Sequence, residues 1–189
     1  MDAMTAASPS PSRVVADMQR WLERAVIGLN LCPFAKAVHV KGQIHYAVSA
    51  ASDVAGVLDD LVAELRELVA RSPDQRDTTM LMVPAGFDDF LLFNELVRQG
   101  ERRLRRAGCE GTVQLASFHP AFRFADAAED DMGHCTNRAP WPTLHLLREA
   151  SIDRAVDAFP DAEAIFGANI ATLRQLGPDG WRALGVERS

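Results

Sequence analysis

Val14, Val15, Met18, Trp21, Leu22, Ala25, Val26 and Leu29 recur three and four residues apart, the spacing that lays one apolar stripe along a helix. This stripe predicts a first helix ending near Gly28 to Asn30. Pro33 steers Cys32 out of helical backbone, so Cys32 opens a turn that PFAKAV continues. Alternation of Ile44, Tyr46 and Val48 predicts a strand over 43–49. Asp53 stands where a helix cap belongs, ahead of apolar positions Val54, Leu58, Leu61, Leu65 and Leu68. The run TTMLMV, residues 78–83, is nearly continuous and reads as a strand buried on both faces. A helix is expected from about Asp89 to Ala107, stopped by Gly108. Val113 to Phe118 is a third strand, and Thr143 to Leu147 a fourth. Asp153 to Phe159 and Ala162 to Leu176 complete the helices, the last ending at Gly177.

Strands and helices alternate from residue 43 to 118, which predicts two crossover units with three strands running in parallel. The expected fold is a single α/β domain over residues 13–189, with a mixed, partly parallel sheet of about four strands flanked by helices. Residues 1–12 (MDAMTAASPSPS) are small, polar and proline-punctuated, and read as a disordered tail.

Composition narrows the function classes. Of 189 residues, 48% are apolar and 24% charged, which fits a globular chain and not a disordered one. A net charge of -6 argues against a phosphate-backbone partner, so no nucleic acid is expected. The run RQGERRLRRAG, residues 98–108, reads as the solvated face and basic end of a helix. No apolar run reaches the length of a membrane span, and no secretory leader is visible. Cys32, Cys109 and Cys135 are an odd number at wide spacing, which suits a reducing cytoplasm better than a disulfide framework.

Three blocks carry a resemblance: WLERAVIGLNLCPFAKAVHVKGQIHY, ASFHPAFRFADAAEDDMGHCTNRAPWPTLHLLREAS and ANIATLRQLG. They resemble the DUF1415 family of bacterial proteins across nearly the whole chain after residue 13. The family's pattern resembles CPFA, then HP followed by an aromatic and FA, then NYTNRSPYP and LLRE. Those match Cys32 to Ala35, His119 and Pro120 with Phe122, Phe124 and Ala125, then Asn137, Arg138 and Pro140, and Leu146 to Glu149. The resemblance implies membership and no activity. Where the family often has Asn-Tyr this chain has His134 and Cys135, and Trp141 stands where Tyr is common. A metal centre built on His134 or Cys135 would therefore be missing from ordinary relatives.

Several residues invite chemistry. Cys32 has Lys36, His39 and Lys41 close behind it, and nearby positive charge favours a thiolate; the alternative is a small buried hydrophobe. His119 directly follows a strand, where ligands of α/β sheets collect, and can move a proton near neutral pH. Arg138 offers a planar fork for a carboxylate or phosphate, with Asn137 beside it. The alternative for Arg138 is an internal bridge to Glu129, Asp130 or Asp131. His145 and Glu149 are four residues apart and would face each other only on a helix. Phe87, Phe90 and Phe93 read as core.

Two function classes follow, with a metal variant of the first. The first is an enzyme acting on a small anionic metabolite. Its catalytic residues are Cys32 and His119, and Asn137, Arg138, Lys36, His145 and Glu149 bind substrate. Its site lies at the strand ends, between the Cys32 turn and the 119–138 loop. The second is a non-catalytic small-molecule binding or protein-interaction domain. The metal variant of the first is a metal-dependent hydrolase using Cys32, His119 and His145, although no CxxC or HExxH motif supports it. The sequence names no cofactor and no oligomeric state.

Overall fold

Ser10 accepts a hydrogen bond from the backbone of Arg13, and Pro11 takes the first helical position, where its missing N–H costs nothing. In this computed structural model, which describes residues 9–158 and 162–189, α1 (Pro11–Trp21) therefore begins inside the segment expected to be a tail. Residues 1–8 of that segment lie outside the described residues. Beyond Trp21 the helix widens into a π-helical stretch, Leu22–Ile27. Its five-residue hydrogen bonds include Gly28 N–H to Glu23 O at 3.0 Å and Leu31 N–H to Val26 O at 2.8 Å. A Cβ at Gly28 would meet the Arg24 carbonyl oxygen at 2.3 Å, so only glycine fits where the wide turn closes.

After the turn at Cys32 come α2 (Ala35–Val40), β1 (Ile44–Val48), α3 (Val54–Ala70), β2 (Thr78–Met82), α4 (Phe90–Arg106) and β3 (Val113–Phe118). Asp53 and Asp89 cap α3 and α4 through their side chains. A loop with one short 3-10 helix, Met132–Thr136, leads to β4 (Thr143–Arg148), α5 (Glu149–Ala158) and α6 (Ala162–Ala183). Gly177, at φ 68° and ψ 175°, interrupts α6 as expected, and Pro178 opens further helical turns that carry Trp181. Phe159, expected at the end of α5, lies outside the described residues.

The sheet order is β1-β2-β4-β3. β1 and β2 pair in parallel, while β4 pairs antiparallel with both β2 and β3. β1, β2 and β3 do run the same way, but β4 separates β3 from the other two. The chain leaves β3 and returns without a crossover helix, which an antiparallel neighbour permits and a parallel one does not. The fold is an α/β domain around a mixed four-stranded sheet.

Register sorts the side chains into two faces, because neighbours along a strand alternate. One face carries the rows Ile44–Thr78–Leu147–Gln114, Tyr46–Met80–His145–Ala116 and Val48–Met82–Thr143–Phe118. It packs beneath α1 and the π-helical stretch, with Val14, Met18, Trp21, Leu22 and Ala25 buried against it. The other face, with Leu81, Leu144 and Leu146, packs on α3 and α4. Phe87 and Phe93 are buried in that core and Phe90 packs against it, as their spacing predicts. Asp17 is fully buried in α1 and takes bonds from Arg20 (2.6 Å), Ser189 Oγ (2.8 Å) and Trp141 Nε1 (3.1 Å). Burial pushes its carboxyl up, but the bonds from Ser189, Arg20 and Trp141 outweigh this and hold it below the usual range. No described helix is long and apolar enough to cross a membrane.

Candidate functional site

Three histidines are buried: His119, His134 and His145. Two of them have both ring nitrogens bound to backbone. His119 gives Nε2–H to the Phe87 carbonyl at 2.9 Å and takes the Ala121 N–H on Nδ1 at 3.0 Å. Its ring lies 5.3 Å from Phe90 and 5.1 Å from Phe93, and burial lowers its pKa despite the Phe87 bond. His134 bridges Ala128 O (2.8 Å) and Phe124 N–H (3.2 Å) in the same manner. Both rings brace the 119–142 loop from within.

His145 differs. It points from the centre of β4 into the helix-covered face, and its Nε2 lies 2.6 Å from Thr78 Oγ1. The single hydroxyl hydrogen of Thr78 goes to the Leu146 carbonyl at 2.7 Å. Nε2 must then carry the ring proton, and Nδ1 is left as a bare acceptor. No described residue bonds to Nδ1. Burial alone pushes the imidazole down to about 4, so the ring is neutral at ordinary pH.

His145 lines a cavity of about 330 Å³ between the sheet face, the π-helical stretch, α2 and α5. Its walls are apolar: Trp21, Leu22 and Val26 on one side, Phe34 and Val38 on α2 and the turn before it, Ile152 and Ala155 on α5, and Ile44, Met80, Phe118 and Leu147 on the sheet. Thr78, Gln114, Asp77 and Ser151 supply polar groups, and the last two bond to each other at 2.6 Å. Arg148 also lines it, but its guanidinium is spread over the carbonyls of Leu68, Arg71 and Arg76, where it caps the end of α3. Trp21 carries a buried indole N–H with no acceptor among the described residues.

The residues expected to form one site are divided. Cys32 and His145 line the same cavity. Lys36 is exposed on α2, and Glu149 opens α5 with its backbone N–H on Thr112 O. Neither lines the cavity. Asn137 ties the loop to β3: its carbonyl accepts from His119 N–H at 3.1 Å and its side chain takes the Thr136 hydroxyl at 3.0 Å. Arg138 makes none of the bridges expected of it. Asp131 pairs with Arg174 at 2.6 Å and Glu129 with Arg123 at 2.6 Å. Arg138 instead donates Nε–H to Phe122 O at 3.1 Å and lines a second cavity, of about 450 Å³. Burial pushes the nearby Cys135 thiol up, and the Arg138 charge opposes this. Among the described residues no three of His, Cys, Asp and Glu gather as a metal would need.

Sequence reasoning missed the walls of the His145 cavity and its partner Thr78. Trp21, Leu22 and Val26 sit on the stripe that reads as helix core. The available signal was His145 itself, a lone imidazole in an otherwise apolar strand, TLHLL. No curated protein and no solved structure matches the chain. DUF1415, described as a protein of unknown function, matches residues 13–183. The match takes in most of α1, the cavity, the whole sheet and all of α6, and the chain belongs to the DUF1415 family.

Proposed function

We propose that the protein binds a small, mostly apolar, uncharged molecule in the sheet-face cavity, and that this molecule gives a hydrogen bond to Nδ1 of His145. The open nitrogen carries the reading. Of three buried histidines it belongs to the one that lines the cavity. Nδ1 has no hydrogen-bond partner among the described residues, and a ligand donor placed on it adds a bond worth about 0.5–1.5 kcal/mol. The cavity volume falls within the range of small-molecule sites, about 300–1,000 Å³. Its apolar walls favour a hydrocarbon or aromatic body. Its one arginine is spent on carbonyls, so a carboxylate would enter without a partner. All three cysteines are free, which supports a reducing, cytoplasmic setting.

One observation favours a second reading. Cys32 lines the cavity with His145, which suits an enzyme whose thiol acts on the molecule held there. Cys32→Ser separates the two: binding survives under the first reading, and turnover is lost under the second.

Phenol, an aromatic ring with one donor, is a suitable probe, with anisole as the same shape without the donor. Calorimetry is expected to give phenol binding that weakens about tenfold or more in His145→Phe and disappears in Ala155→Trp, which fills the cavity from α5. Phenol affinity unchanged in Ala155→Trp, or equal affinity for anisole in the unaltered protein, would overturn the proposal.

A further inference from the structure

The second cavity has a different chemistry. It holds about 450 Å³ and is lined by Trp21, Trp181, Pro120 and Pro140 together with Arg138, Arg188 and Glu187. Arg188 is committed: it pairs with Asp88 at 2.9 Å, bonds Pro140 O at 2.6 Å and lies 4.2 Å over the Trp141 ring. Arg138 is not. It is half-buried, and no carboxylate among the described residues pairs with it. Its Nε–H bond to Phe122 O fixes the plane of the guanidinium, and that carbonyl belongs to a loop braced by His119 and His134. A fork already oriented in this way loses little further freedom on binding and suits a carboxylate gripped through two parallel bonds.

The geometry points to a second binding site here, for a small monocarboxylate with a planar apolar body. Arg138 holds the carboxylate, and Trp21 and Trp181 supply aromatic walls for the body. Glu187 lines the same cavity and opposes a second negative charge, so a dicarboxylate is disfavoured. Trp21 lines both cavities, so the two sites share a wall, yet their chemistries are opposite: one is apolar with a bare acceptor, the other cationic. The inference stands on Arg138 and does not rest on the reading of the His145 cavity.

The test uses the full chain labelled with 5-fluorotryptophan, its three fluorine resonances assigned by single Trp→Phe variants. Benzoate is the probe and benzamide its neutral counterpart. Benzoate is expected to shift the Trp181 resonance in a saturable way. Benzamide, terephthalate and benzoate with Arg138→Gln are each expected to bind about tenfold or more weakly. Arg182→Gln, an exposed arginine outside the cavity, is expected to leave benzoate affinity unchanged. Equal affinities for benzoate and benzamide in the unaltered protein would overturn the inference, whether or not Arg138→Gln folds. Benzoate binding that survives Arg138→Gln, or a Trp181 resonance that does not respond, would overturn it too.

Discussion

Replacing His145 by glutamine should flatten the fall in stability as pH drops below neutrality. In the unfolded chain this imidazole takes its proton near 6.5, and in the fold only near about 4, because burial disfavours the cation. Between those values the unfolded state holds more protons, so stability falls as pH falls. Above pH about 6.5 both states are neutral and the contribution is fully present; below about 4 it is gone. At about 1.4 kcal/mol per pH unit of displacement, the interval is worth about 3 kcal/mol in all, of which about 2 is lost by pH 5. His119 and His45 are also lowered and add slope of the same sign, so the difference between wild type and variant isolates His145. Asp17 and Asp131 are held below the usual carboxylate range, so their stabilisation fades only as pH falls through and below about 4. Urea unfolding of both proteins from about pH 7 down to about pH 5 measures the difference. Equal slopes in wild type and His145→Gln would refute the buried neutral imidazole, and with it the bare acceptor in the cavity.

Three further outcomes follow from particular contacts. Gly86 has φ 82°, and a Cβ there would lie 2.1 Å from the Ser52 carbonyl oxygen, so Gly86→Ala should cost about 2 kcal/mol or more by urea denaturation. The Tyr46 hydroxyl is buried without a partner among the described residues, and its pKa is pushed up to about 12 by burial and by Glu23. Tyr46→Phe should therefore be neutral or stabilising by up to about 1 kcal/mol, and a loss of that size would contradict the missing partner. Iodoacetamide should label Cys32 more slowly in the presence of phenol, because both occupy one cavity; peptide mapping that finds Cys109 slowed equally would show the protection to be general.

Much of the fold was legible because local signals agreed with their surroundings. Asp53 caps where a cap was expected, Asp89 stands at the expected start of α4, and TTMLMV is central because a strand buried on both faces needs no alternation. The place of β4 was not legible: alternating elements suggest adjacent parallel strands, and nothing in TLHLLR announces that it enters between β2 and β3. The π-helical stretch escaped notice too, because LERAVI keeps helical spacing while Gly28 permits the wider closure. At the site, residue type pointed to His119, Asn137 and Arg138, yet residue type does not tell which polar atoms the backbone satisfies. His119 spends both nitrogens on Phe87 and Ala121, whereas His145 keeps one in reserve. Only the register of β2 against β4 sets Thr78 within reach of His145 and so decides which nitrogen stays open.

The most direct measurement is a long-range proton–nitrogen correlation spectrum of the histidine rings, with and without phenol and anisole. In the free protein His145 is expected to show a protonated Nε2 and an unprotonated Nδ1. Phenol should then move the Nδ1 resonance towards that of a hydrogen-bonded nitrogen, while anisole leaves it in place. A proton on Nδ1 in the free protein, or a resonance that ignores saturating phenol, would contradict the assignment of this cavity as a binding site read by His145.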